Sequence, residues 1–272
     1  MRYAIVLAAC LAAPLQVAAQ ERVVVAGSAL SEITAALGQT HRLVGRDQTS
    51  TYPAEIEALP DLGYLRALSA EGLLSLNPDL ILADADAGPP ETMDLVASTE
   101  IPVVRITADF TAEGVIERIA EVGQALSVDP APLQAEVQAS FDALAEARAA
   151  HPPLRAMFIL TAQGGQITAA GSDTAAEGIL HLAGAQNALQ GFSGYRQITD
   201  EAITNAAPDV LVMMERTGDH SLEDADLQSH AALSLTPAVR DGRVIRMEGS
   251  YLLGFGPRTP DAALQLLHAM WE

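Results

Sequence analysis

Tyr64 and Arg66 stand two positions apart, in a stretch built to hold them outside a core. The turn-prone run Pro60-Asp61-Leu62-Gly63 precedes them, and Ser69, a good helix N-cap, follows ahead of Glu71-Gly72-Leu73-Leu74. An aromatic hydroxyl and a guanidinium on such a loop face solvent or a ligand. A neighbouring cation favours a phenolate over a phenol by Coulomb attraction, and the planar fork of an arginine can hold a carboxylate bidentately.

The elements around this loop alternate in type. Arg22 to Ala26 is a β-branched run that ends in Gly27-Ser28, after which Leu30, Ile33, Ala36 and Leu37 recur at helical spacing up to Gly38. A second short strand is predicted over His41 to Arg46, a third over Leu80 to Ala83 and a fourth over Ile101 to Ile106, with a helix over Thr111 to Leu126. Strands alternating with helices predict an α/β fold with mostly parallel sheets and crossover helices. From Pro130 to Ala150 the pattern changes: Leu133, Val137, Phe141 and Leu144 keep helical spacing without a glycine, until His151-Pro152-Pro153 closes the run. One long helix is predicted here, joining α/β segments on either side.

Those two sides echo each other. Ala26-Gly27-Ser28 is repeated as Ala170-Gly171-Ser172, and Gly63-Tyr64-Leu65-Arg66, Glu71 and Pro78-Asp79-Leu80 return as Gly194-Tyr195-Arg196, Glu201 and Pro208-Asp209-Val210. The expected division is a leader over 1–19, an N-terminal lobe over 20–128, a connecting helix over 129–152 and a C-terminal lobe over 153–272, with a ligand cleft between the lobes. In open α/β sheets ligands gather beyond the carboxyl ends of strands, so the loop Asp84 to Pro90 and the loop carrying Glu215 and Arg216 should line that cleft.

Composition narrows the function. The 272 residues carry a formal net charge of −20, and all 15 basic residues are arginine, which disfavours nucleic acid as a partner. Arg2, the apolar stretch Tyr3 to Leu15 and Val17-Ala18-Ala19 have the layout of a secretory signal peptide cleaved near Ala19. The only cysteine, Cys10, lies inside it, in Leu7-Ala8-Ala9-Cys10, which also resembles a lipoprotein box; the soluble exported form is the reading taken. The six histidines are scattered without metal-ligand spacing, and no Gly-x-Ser-x-Gly elbow is present, so neither a zinc receptor nor a hydrolase is indicated and the chain is not expected to be an enzyme.

Three segments carry a resemblance: Asp47-Gln48-Thr49-Ser50-Thr51-Tyr52-Pro53, the run from Gly63 to Leu80, and Leu253-Gly254-Phe255-Gly256-Pro257-Arg258-Thr259-Pro260. Together they resemble the periplasmic haem-binding proteins of bacterial haem ABC importers, within the helix-linked class of substrate-binding proteins that also serves vitamin B12 and ferric siderophores. The resemblance implies a monomer in the periplasm that carries haem to a permease dimer with its ATPase, meeting the membrane only through the permease.

By that resemblance the Tyr64 phenolate is the axial ligand to the iron, and Arg66 pairs with it or with a haem propionate. Tyrosinate is a known haem ligand. Tyr195, Arg196 and Arg216 are the second-lobe candidates for the cleft, and Arg258 either caps local structure or reaches it. Some relatives supply a second-lobe histidine; here the corresponding turn carries Ser172, Asp173 and Thr174, and His181 is a packed helix residue, so ligation by Tyr64 alone is expected. Glu71 and Glu201, one per lobe near equivalent helix starts, are expected to dock into arginine pockets of the permease. A vitamin B12 or siderophore receptor shares the architecture and is the alternative. A corrinoid would call for aromatic side chains, and aromatics make up only 4% of this chain.

Overall fold

The computed structural model describes residues 21–107, 109–215 and 222–271; the leader with Cys10, and Arg216 with His220, lie outside the described residues. The first lobe is built on a parallel sheet of β1 (Val23–Ala26), β2 (Leu43–Arg46), β3 (Leu80–Asp84) and β4 (Val103–Ile106), in the order β2-β1-β3-β4. Helices α1 (Ser28–Ala36), α2 (Ala70–Ser75), α3 (Pro90–Ala97) and α4 (Ala112–Leu126) connect these strands or follow them. β1 and β3 are buried along their whole apolar length, as expected of parallel strands covered on both faces.

The second lobe holds β5 (Arg155–Gln163), β6 (Gln166–Ala170), β7 (Gln186–Asn187), β8 (Tyr195–Ile198), β9 (Val210–Met214) and β10 (Val244–Met247). Its sheet runs β10-β9-β5-β6-β8, with β7 beside β5. The β10–β9, β9–β5 and β5–β7 pairings are parallel, whereas β5–β6 and β6–β8 are antiparallel because a tight Gly164-Gly165 turn makes β5 and β6 a hairpin. The second lobe's sheet is therefore mixed. Around it lie α6 (Ala175–Leu182), α7 (Asp200–Ala206), α8 (Asp224–Ser229), α9 (Pro237–Arg240), α10 (Gly249–Leu253) and α11 (Thr259–Trp271).

Between the two sheets in sequence runs α5 (Ala131–Ala149), which buries Val137, Phe141 and Leu144, its residues at helical spacing, against α4 on one side and α11 on the other. One apolar core runs through both lobes: Val25, Leu30, Leu82 and Ile119 belong to the same cluster as Phe158, Ile179, Val212 and Leu266. Each large aliphatic or aromatic side chain buried this way contributes about 1.5–3 kcal/mol.

Polar contacts reinforce the join. Arg118 on α4 donates through Nη1 to the carbonyls of Gly254 and Phe255, at 3.2 and 3.3 Å. Ser250 Oγ donates to the Thr49 carbonyl at 3.1 Å. Two of the segments singled out in the sequence, Asp47 to Pro53 and Leu253 to Pro260, meet across the lobes where the Arg258 guanidinium lies over the Tyr52 ring. Asp47 holds its side of the junction: fully buried, it accepts from the Gly27 amide at 2.8 Å, the Ser50 hydroxyl at 2.6 Å and the Thr49 amide at 2.8 Å.

Candidate functional site

The Tyr64–Arg66 loop is set by the residues between and after its polar pair. Leu65 and Leu68 are buried against β1, β3 and α2 in a second apolar cluster of the first lobe, so the single 3-10 turn Leu65–Ala67 is pinned by its apolar face. Tyr64 and Arg66 are left outside, the tyrosine 46% exposed. Gly63, at φ 91°, makes the turn into the loop in a backbone region that L residues seldom occupy, and Gly194, at φ 76°, does the same ahead of Tyr195. Ser69 caps α2 as predicted, accepting from the Gly72 amide at 3.0 Å.

Arg66 bridges two acceptors. Its Nη1 donates to the Tyr64 hydroxyl at 3.0 Å and its Nη2 to Asp86 Oδ2 at 2.6 Å. Burial alone would lower the guanidinium's pKa, but the bonds to Asp86 and Tyr64 outweigh it and hold the group above its ordinary value. Asp86 lies on the loop after β3, which was expected to line the cleft, although Asp86 itself was not among the residues picked from sequence.

Tyr195 faces this group from the second lobe. It stands on edge strand β8, not in a loop as its match to Tyr64 suggested, because β8 pairs with β6 through Ala170↔Tyr195 and Ala169↔Arg196. Its ring packs edge-on to Phe158, centroids 6.4 Å apart. Its hydroxyl lies at the start of α6, near the Thr174 hydroxyl and the Ala176 amide, and close enough to Arg66 to be acted on by that cation. Although 38% of the residue is exposed, desolvation of the hydroxyl end prevails over these three favourable partners and pushes the pKa up. At neutral pH Tyr195 is therefore a neutral phenol, a hydrogen-bonding group and not an anionic donor.

The remaining candidates are placed elsewhere. Successive residues of a strand point to opposite faces, so Arg196 is turned away from Tyr195; its guanidinium lies 5.7 Å from the Phe192 ring centroid. Arg258 is engaged at the lobe junction: Nε donates to Glu32 Oε2 at 2.9 Å, its backbone amide donates to Oε1 at 2.8 Å, and the guanidinium lies over the Tyr52 ring at 3.5 Å. Of the two uses left open for it, the structural one is occupied. Glu71 and Glu201 are exposed in the first turns of α2 and α7, where the helix dipole favours a carboxylate. His181 lies on α6 but is exposed there and not packed as expected; its carbonyl accepts from Arg148 at 3.1 Å.

Among the described residues no group of three or more His, Cys, Asp or Glu side chains is arranged to hold a bare metal ion, and no helix is long and apolar enough to cross a membrane. A cavity of about 420 Å³ beside the ends of β9 and β10 is lined by Met213, Met214, Glu215 and Arg246 among others; none of Tyr64, Arg66, Asp86 or Tyr195 lines it. Arg246 is bound there to Asp224 at 2.8 Å.

Known proteins share this fold over nearly the full chain. The structure is similar to that of the periplasmic heme-binding protein BhuT in complex with two hemes, with a TM-score of 0.87 and 40% identity over 92% of this chain and 97% of that one. It is also similar to the periplasmic heme-binding protein RhuT from Roseiflexus sp. RS-1 in apo form, with a TM-score of 0.88 and 33% identity over 93% of this chain and 98% of that one. By sequence, the vitamin B12-binding protein of Vibrio parahaemolyticus is 23% identical over 90% of this chain and 88% of its own length. The model of the periplasmic binding protein family matches residues 23–251, and with that span covering both sheets and the α5 connection, the chain belongs to the periplasmic binding protein family.

Proposed function

We propose that this protein binds haem in the periplasm and delivers it to an ABC importer, with the Tyr64 oxygen as the axial ligand to ferric iron. The observation that carries this reading is the exposed phenol of Tyr64, held on a pinned loop with Arg66 3.0 Å from its oxygen. A hard, anionic phenolate suits ferric haem, and a donor to the ligating oxygen offsets the negative charge that ligation requires. The two heme-binding structures, at 40% and 33% identity, support haem over other cargo.

No bond of the cargo is made or broken: the protein ligates, shields and releases. Tyr195 offers a neutral hydrogen-bond donor from the opposite lobe, and ligation by Tyr64 alone leaves it free for that role. The one core through both lobes and the Arg118 and Arg258 contacts favour small hinge or twist motions over wide closure. Glu71 and Glu201 present one carboxylate per lobe to the permease, whose docking on both sides at once accompanies release. The working form is a monomer, freed of residues 1–19 and divided into lobes over 20–128 and 153–272 with the connecting helix over 129–152.

The vitamin B12-binding relatives define the test. Purified protein is titrated with hemin and with cobalamin, and each is then used to displace the other. Hemin should bind the more tightly and cobalamin should fail to displace it; tight cobalamin binding with weak hemin binding would replace this reading with the corrinoid one.

A further inference from the structure

Arg66 could serve either the iron-ligating oxygen or a carboxylate of the cargo, and its surroundings direct one arm of it to the first. An arginine side chain gives up much rotamer freedom when it is held, so one on an exposed turn needs a second anchor to stay in place. Asp86 provides it, at 2.6 Å from Nη2, leaving Nη1 directed at the Tyr64 hydroxyl. With one Nη engaged by Asp86 and the other by Tyr64, the end of the fork is taken, and only the Nε side and the second Nη hydrogens remain for another acceptor.

Asp86 is itself built into position. The Gly88 amide donates to the Leu65 carbonyl at 3.0 Å and the Leu68 amide donates to the Gly88 carbonyl at 2.8 Å, so the loop after β3 is zipped to the turn on both sides of Arg66. The Asp86 amide donates to Asp84 Oδ1 at 3.2 Å, the Ala85 amide to the Ile106 carbonyl at 2.9 Å, and Arg105 from β4 donates to the carbonyls of Ala85 and Ala87. Arg118, the other cation near Asp86, is occupied by the Gly254 and Phe255 carbonyls and by Asp84.

The geometry points to Asp86 as a positioning residue that commits Arg66 Nη1 to the Tyr64 oxygen. This rests on the haem reading above.

The test compares hemin complexes of the wild type, Asp86→Asn, Asp86→Ala and Arg66→Ala by electronic spectrum and by the rate of hemin loss to a scavenger. The asparagine amide oxygen still accepts from Nη2, so Asp86→Asn should keep the wild-type tyrosinate charge-transfer band and lose hemin within about twofold of the wild-type rate. Asp86→Ala should shift the band to the position seen in Arg66→Ala and speed hemin loss about fivefold to tenfold, as expected for one charge-assisted hydrogen bond discounted for exposure. Adding Asp86→Ala to Arg66→Ala should change nothing further. A crystal structure of apo Asp86→Ala should show the Arg66 guanidinium withdrawn from Tyr64, a readout that needs no haem. The inference is overturned if Asp86→Ala keeps the wild-type band and rate, or if Asp86→Asn is as impaired as Asp86→Ala. A wild type with no tyrosinate band at all would overturn the haem reading instead, and the apo structure would still decide the role of Asp86.

Discussion

Arg118 joins the two lobes from a place where an arginine is costly to keep, so its removal should be felt by the whole molecule. Only 2% of its side chain is exposed, and burial pushes its pKa down despite Asp84, Glu121 and Asp86 nearby. It is held by the carbonyls of Gly254 and Phe255 at 3.2 and 3.3 Å and by Asp84 Oδ2 at 3.4 Å. Arg118→Ala returns the desolvation cost of the guanidinium, but it leaves two carbonyls and a carboxylate only 18% exposed without their donor, and it opens a cavity between α4 and the segment after α10. Breaking a buried pair from one side costs about 3–5 kcal/mol. At about 2–4 °C per kcal/mol for a protein of this size, the unfolding midpoint should fall by roughly 10 °C, measured by calorimetry and by urea unfolding. Asp84→Asn in the Arg118→Ala background should recover part of the loss, because the orphaned charge is then gone. A loss below about 1 kcal/mol, or strictly additive effects of the two changes, would refute the assignment of Arg118 as the polar bolt between the lobes.

Three further outcomes follow from other contacts. Glu32 is buried beside Arg258 with Glu248 near, and desolvation raises its pKa above the ordinary carboxylate value despite the arginine. The folded state therefore holds this proton more tightly than the unfolded chain, a contribution fully present below the ordinary carboxylate pKa and lost as pH rises through the raised one. Measured by calorimetry at a series of pH values, the midpoint of Glu32→Gln relative to wild type should rise across that interval and then level; a flat difference would contradict it. Gly178 of α6 lies so close to Phe110 of the first lobe and to the segment after α10 that an added Cβ would come within 2.5 Å of the Phe110 carbonyl and 2.9 Å of the Phe255 ring, so Gly178→Ala should cost about 1–3 kcal/mol in urea unfolding. Glu71→Ala combined with Glu201→Ala should leave hemin affinity unchanged while stopping transport in reconstituted vesicles; loss of binding would place the two carboxylates in the cleft.

What could be read from the sequence was what is local. Val23 to Ala26, the Ser69 cap and the helix from Ala131 declare themselves through runs, caps and spacing over a few residues, and they stand where expected. The repeat placed Tyr64 and Tyr195 in equivalent surroundings but misjudged the backbone of the second, because whether Tyr195 is loop or strand depends on pairing with Ala170, twenty-five positions away in a hairpin-based sheet. The junction was hidden for the same reason. Arg258 meets Glu32 across 226 positions and Arg118 meets Gly254 across 136, and no local pattern marks which of 35 acidic residues an arginine will find. Asp86 escaped notice as one more polar residue in a polar loop; only the Gly88 bonds to Leu65 and Leu68 reveal that this loop and the Tyr64 turn form a single piece.

The central claim is that the Tyr64 oxygen ligates the iron of bound haem, and Tyr64→Phe tests it with the loss of a single atom from an exposed side chain. The wild type titrated with hemin should give a Soret band together with a high-spin ferric tyrosinate charge-transfer band, and Tyr64→Phe should fold as the wild type does yet lose the charge-transfer band and most of the affinity. Unchanged spectra in Tyr64→Phe would contradict the account.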